Sequence, residues 1–111
     1  MVHRESLKEG APKMKITETR NENSMTLALE GRLDTVTAPQ LEEVLKKNLP
    51  SVNELILDLE KLDYLSSAGL RMLLYAQMNI QDHGKLVIRH ANKLVMGVFK
   101  VTGFTDILTI E

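Results

Sequence analysis

The sequence predicts a single α/β domain on a mixed, mostly parallel sheet, with elements in the order β-β-α-β-α-β-α-β. Three observations carry this. The first third of the chain alternates apolar and polar residues with period two. The remainder alternates short, nearly continuous apolar runs with stretches of helical spacing. A length of 111 residues leaves room for one core. Strand–helix–strand units place their strands in parallel with right-handed crossovers, so the first strand is left as an antiparallel edge.

Met14 and Ile16 alternate with lysines and predict a strand over about 14–19. Met25, Leu27 and Leu29 alternate with Thr26, Ala28 and Glu30 and predict a second, with Arg20-Asn21-Glu22-Asn23-Ser24 as the turn between. Gly31–Thr37 reads as a loop. Thr37 and Gln40 have capping-box spacing, and Pro39 suits a first helical turn. Leu41, Val44, Leu45 and Leu49 then share one helix face, and Pro50 ends that helix. Leu55–Leu59 reads as a buried strand and Glu60–Leu65 as a loop. Ala68–Asp82 reads as a helix stopped by His83-Gly84, and Leu86–Ile88 as another buried strand. Asn92 is placed to cap a third helix with Val95, Val98, Phe99 and Thr102 on one face and Gly103 at its C-terminal cap, before a last strand over 107–110.

Hydrophobic residues make up 43% and charged residues 26%, an ordinary globular composition. Lys and Arg number 14 against 15 Asp and Glu, so no basic field would draw the chain to nucleic acid or anionic lipid. The absence of cysteine excludes disulfides, thiolate catalysis and Cys-ligated zinc. No stretch approaches the ~20 apolar residues of a membrane span, and 1–13 lack the apolar run of a signal peptide. A cytoplasmic protein without direct membrane contact is expected. Residues 1–12, ending in Gly10-Ala11-Pro12, are expected to form a flexible tail ahead of a domain over 13–111.

In such a sheet, functional loops gather beyond the carboxyl ends of the parallel strands. Three loops qualify and are expected to share one edge: Gly31–Thr37, Glu60–Ser67 and His90–Asn92. Their polar residues are Asp34, Thr35, Thr37, Asp63, Ser66, Ser67, His90 and Asn92. Ser66-Ser67-Ala68-Gly69-Leu70 stands out. A serine at a helix start ordinarily caps it, yet one cap needs one serine and here there are two. A helix start is also where a phosphate is readily accommodated, so a cap and a phosphate acceptor are both open readings.

Other chemistries find little support. His3, His83 and His90 have no metal-ligand spacing, and no metal or cofactor is expected. There is no Gly-x-Ser-x-Gly elbow, and only His90 could approach Ser67 as a base. Asp34, Asp58 and Asp63 are too few for a receiver-type acidic cluster, and no Walker-type phosphate loop is present. Leu70, Leu74 and Met78 lie beside the main buried face of their helix, as core or as an adaptable interface.

Leu55-Ile56-Leu57-Asp58-Leu59, followed by Leu62-Asp63-Tyr64-Leu65-Ser66-Ser67-Ala68-Gly69-Leu70-Arg71, resembles the signature of STAS-domain anti-sigma factor antagonists. Gly31-Arg32-Leu33-Asp34, Thr37-Ala38-Pro39-Gln40-Leu41, and the run from Leu86-Val87 through Val95, Phe99, Thr102-Gly103-Phe104 and Ile107-Leu108 extend the resemblance over roughly 14–110. It implies a non-enzymatic protein whose unphosphorylated form binds an anti-sigma factor, itself a serine kinase, and so releases a sigma factor. Phosphorylation by that kinase ends the binding, and a PP2C-type phosphatase restores it. The family's acceptor stands two residues before the glycine, which implies Ser67 here, with Ser66 in place of the family's aspartate. Asp34, Thr35, Ser66 and Gly69 are the implied partner contacts around it, Asp34 being alternatively a turn residue. A monomer is expected in isolation. The alternative is a STAS subunit of a larger signalling or lipid-transport assembly, without a sigma factor.

Overall fold

The computed structural model describes residues 14–111, so the expected tail at 1–12 lies outside the described residues. The elements follow the predicted order: β1 (Met14–Asn21), β2 (Ser24–Leu33), α1 (Ala38–Asn48), β3 (Glu54–Leu65), α2 (Ser67–Ile80), β4 (Lys85–Arg89), α3 (Lys93–Thr102) and β5 (Thr109–Ile110). Short 3-10 turns follow α1 at Leu49–Ser51 and α3 at Phe104–Asp106. The sheet order is β1-β2-β3-β4-β5, with β1 antiparallel to β2 and all other pairs parallel.

Alternation along the strands decides which face is covered. Met14, Ile16, Met25, Leu27, Leu29, Leu55, Leu57, Leu86 and Ile88 point into one buried cluster. Leu41 and Leu45 of α1, Leu73, Ala76 and Ile80 of α2, and Val95 and Phe99 of α3 join the same cluster. Ile56 and Val87 are buried but stand outside it, on the opposite face. Right-handed crossovers that always step the same way along the sheet put every helix on one side, and the shortest molecular extent is 19 Å. The domain is thus two layers. The strand read over Leu55–Leu59 is covered by helices on one side, and on the other Ile56 is buried beside Val87 of β4.

The main departure from expectation is β3. Glu60–Leu65, expected as a loop, is strand, and it pairs with β2 as far as Leu33↔Leu65. Two register shifts occur on the way. Asp58 and Lys61 face Ala28 and Glu30, and Leu62 and Tyr64 face Gly31 and Arg32, so β3 carries one extra residue at each place. These bulges change the inward period from two to three, and Leu59, Leu62 and Leu65 all reach the core. A spacing of three does not look like a strand in sequence.

Asn92 holds the bulged segment. Its Oδ1 accepts from the Val95 N–H and caps α3, as expected. Its Nδ2 also donates towards the carbonyls of Leu59, Glu60 and Leu62 at 3.2, 3.1 and 2.8 Å. One side chain therefore starts a helix and satisfies the carbonyls the bulge leaves without a ladder partner. Asn92→Ala is expected to destabilise the domain by about 2–4 kcal/mol in chemical denaturation, from a lost cap and lost bonds to buried carbonyls. Asn92→Asp keeps the cap oxygen but sets a carboxylate against carbonyls, so it is expected to be no more stable than the alanine variant at neutral pH. Full stability in the Asp variant would show that the cap alone matters.

Candidate functional site

Because β2 and β3 stay paired to Leu33 and Leu65, the two loops that follow start side by side. The Ser66 N–H donates to the Leu33 carbonyl at 3.0 Å and ties them together. Gly69 lets the first turn of α2 settle onto this strand end. A Cβ there would lie 2.7 Å from Leu65 Cδ1, 2.8 Å from Leu33 Cγ and 2.9 Å from the Leu33 carbonyl oxygen. Gly69 is buried by these neighbours, so it shapes the site rather than presenting a surface.

The two serines divide the work. Ser66 is the N-cap of α2, and its Oγ accepts from the Gly69 N–H at 3.3 Å. Ser67 is the first residue of the helix and is exposed, and its hydroxyl makes no hydrogen bond among the described residues. The cap reading therefore falls on Ser66, and the Ser67 hydroxyl is left accessible.

The loop before α1 is held by Asp34. Its Oδ1 accepts from the N–H groups of Val36 and Thr37 at 3.0 and 3.1 Å, and its own carbonyl accepts from the Ala38 N–H at 2.8 Å. The expected Thr37–Gln40 capping box does not form. The Thr37 hydroxyl donates instead to the Arg32 carbonyl at 2.6 Å, and Gln40 Nε2 donates to the Met14 carbonyl at 2.7 Å. Asp34, three residues earlier, holds the turn ahead of α1, and the N-cap Thr37 makes no side-chain cap bond, so Asp34 is a turn residue whatever else it contacts. Thr35 beside it is exposed. Arg32 reaches Asp34 Oδ2 at 3.4 Å and lies 4.1 Å from the centre of the Tyr64 ring across the strand pair. Val36 at 60% exposure and Tyr64 at 40% give this polar edge an apolar component that sequence reading did not single out.

The third loop is elsewhere. β4 stops where Arg89 pairs with Asp58, and Asp58 and Leu65 face residues five apart on β2. That sets the end of β4 and His90 back from the Ser66–Ser67 edge by roughly 17 Å along the strands, and Asn92 reaches forward only as far as the Leu62 carbonyl. The expectation of one shared edge for three loops is corrected to two loops, and His90 is not placed to serve Ser67. His90 Nδ1 meets Asp58 Oδ2 at 3.2 Å instead. Asp58, Glu60 and His90 offer ligand atoms within 4.8 Å of one another, a surface grouping that the spacing of the histidines could not reveal. Asp58 is already committed there, its Oδ1 accepting from the Glu60 N–H. A cleft of about 150 Å³ lies between β1 and α1, lined by Ile16, Glu18, Gln40, Glu43, Val44, Lys47 and Asn48, and contains none of the sequence-predicted site residues. Of the apolar run on α2, Leu70 is buried, Leu74 is half-buried and Met78 is 58% exposed.

The strand ends of this two-layer domain thus carry a capping serine, Ser66, and an accessible one, Ser67, beside it. The comparisons with known proteins are specific. A family model described as Mlab, STAS domain, matches residues 16–109, and the chain belongs to the STAS domain family. A Bordetella bronchiseptica protein named as an anti-sigma factor antagonist, BtrV, is 35% identical over 99 residues, 87% of this chain and 85% of that protein. The crystal structure of an anti-sigma factor antagonist from Mycobacterium paratuberculosis superposes with a TM-score of 0.82 at 19% identity, covering 89% of this chain and 86% of that one. The Bacillus cell fate determinant SpoIIAA in its phosphorylated form superposes at 0.70 with 16% identity, covering 86% and 90%. Among the described residues no helix is long and apolar enough to cross a membrane.

The N–H of Thr37, joined by that of Val36 and by Arg32, holds the Asp34 carboxyl below the ordinary carboxylate value. A carboxyl with a lowered folded pKa stabilises the fold above its unfolded pKa and loses that contribution as pH falls through the folded one. Asp34→Asn keeps the accepting oxygen and removes the charge. Melting curves are expected to show the native chain more stable than this variant at neutral pH, with the gap closing as pH falls below about 4. A gap that widened in acid would contradict the bonding described for Asp34.

Proposed function

We propose that this chain is an anti-sigma factor antagonist: its unphosphorylated form binds an anti-sigma factor serine kinase, which frees a sigma factor, and phosphate on Ser67 ends that binding. The observation that carries the reading is the uncommitted, exposed Ser67 hydroxyl one residue after the serine that caps α2. Relatives named for this activity, and a phosphorylated protein of the same fold, support it. In the transfer, Ser67 Oγ takes the γ-phosphoryl group of ATP held by the kinase, ADP leaves, and the hydroxyl proton passes to solvent or to a base of the kinase. Hydrolysis by a PP2C-type phosphatase returns serine and inorganic phosphate. Asp34, Thr35, Ser66 and Gly69 contribute to the partner-facing edge mainly by shaping it. The replacement of the family's aspartate by Ser66 has a structural reason: both side chains cap a helix well.

The modification acts on the surface. Phosphate adds a charge of about −1.5 to −2 at a helix start, where the dipole tolerates it. An unpaired charge at the interface costs ~2–5 kcal/mol, a loss of ~30- to several-thousand-fold in affinity. The chain is proposed to be a monomer alone and heteromeric with its partner, in the cytoplasm, without direct contact to nucleic acid or membrane. A second reading is a STAS subunit of a larger signalling or lipid-transport assembly, without a sigma factor.

Incubation with the cognate kinase and ATP is expected to place phosphate on Ser67 in peptide mass spectrometry. Ser67→Ala is expected to bind the kinase at near-native affinity and to resist switching off. Phosphate found only on Ser66 or a threonine, or complete loss of binding in the alanine variant, would defeat the proposal. Partner binding that ignored Ser67 altogether would favour the assembly subunit.

A further inference from the structure

Resting on the reading of Ser67 as the phosphate acceptor, we propose that Arg71 captures the phosphate, drawing the modified side chain along the surface of α2 into an intramolecular ion pair. Ser67 opens α2 and Arg71 follows four residues later, so the two are surface neighbours with Cβ atoms about 5–6 Å apart. Both are exposed. Among the described residues there are four arginines, and three are engaged. Arg20 binds the Glu22 carbonyl and Ser51, Arg32 binds Asp34 and stacks on Tyr64, and Arg89 binds Glu111. Among the described residues Arg71 makes no hydrogen bond or ion pair, and it is the one placed a turn beyond the acceptor.

The order is also favourable, because an anion four residues N-terminal to a cation pairs better on a helix than the reverse. A guanidinium fork matches two phosphate oxygens at once. Among the described residues no other uncommitted cation stands at this edge. Arg32 is committed to Asp34, Lys61 lies beside Glu30 further back along β3, and Asp34 and Asp63 are anions. Phosphorylation then changes two things for the partner together. It meets a new anion, and it loses access to an exposed cation. The pair also fixes the phosphate in one orientation for hydrolysis.

The test uses the full chain with phosphoserine introduced at position 67 during synthesis, so it does not depend on which kinase acts. Phosphorus NMR is followed across pH 4–9 for the native chain, Arg71→Gln and Arg71→Lys. The second phosphate ionisation is expected to rise by ~0.3–1 unit in Arg71→Gln and to stay near the native value in Arg71→Lys. The Arg71 side-chain N–H signal is expected to move with that same ionisation in the phosphorylated chain and to be flat without phosphate. Equal ionisation in native and Gln chains, or an unmoved Arg71 signal, would overturn the proposal. Amide spectra of the unphosphorylated variants confirm that an exposed substitution has left the fold intact. Failure of kinase phosphorylation at Ser67 would overturn the switch reading instead and leave this ion pair standing as a property of the phosphorylated chain.

Discussion

Everything at the candidate site depends on the parallel pairing of β2 with β3 being carried out to Leu33 and Leu65. Without that extension the loop before α1 and the start of α2 would leave the sheet at different heights. With it, the Ser66 N–H reaches the Leu33 carbonyl, and the first turn of α2 packs where Gly69 admits no side chain. The extension requires β3 to absorb two extra residues, and each bulge leaves backbone carbonyls without a ladder partner. Asn92, arriving from the start of α3, bonds the carbonyls of Leu59 and Glu60 at the first bulge and of Leu62 where the second begins. A helix cap on one side of the domain thus supports the strand that carries the site on the other.

Much of this was legible in sequence where one local rule governed the residue. The period-two alternation of β1 and β2, the Asn92 cap and the left-handed Gly103 at φ 81° all follow from the side chain and its immediate neighbours. The bulged half of β3 was not legible, because Leu59, Leu62 and Leu65 recur every three residues, a spacing that belongs to no unbroken strand. The capping box at Thr37 was a plausible local reading that a nearby competitor overrode. Asp34 offers two N–H groups a carboxylate oxygen, and Thr37 is drawn to the Arg32 carbonyl. The separation of His90 from Ser67 depended on how far each strand runs, which no motif encodes. The grouping of Asp58, Glu60 and His90 arose only once β3 and β4 were in register.

The division between Ser66 and Ser67 gives the edge its chemistry. A cap residue is committed to the backbone, and modifying it would release a helix N–H. Its neighbour carries no such duty, so a group can be added to Ser67 with no internal bond broken. The surroundings are stiff for the same reason: Asp34, Thr37, Ser66 and Gly69 each have close partners within the domain. A rigid edge with an accessible Ser67 hydroxyl suits a switch that alters what the partner meets and leaves the fold alone.

That claim is tested most directly by comparing amide NMR spectra of the full chain with and without phosphate on Ser67 under identical conditions. The account predicts changes confined to residues 32–37 and 63–72, with the amides of β1, β4 and α3 unmoved. Shifts spread across the whole sheet, reaching the Asn92 cap and β4, would contradict it and show that phosphorylation acts by rearranging the domain.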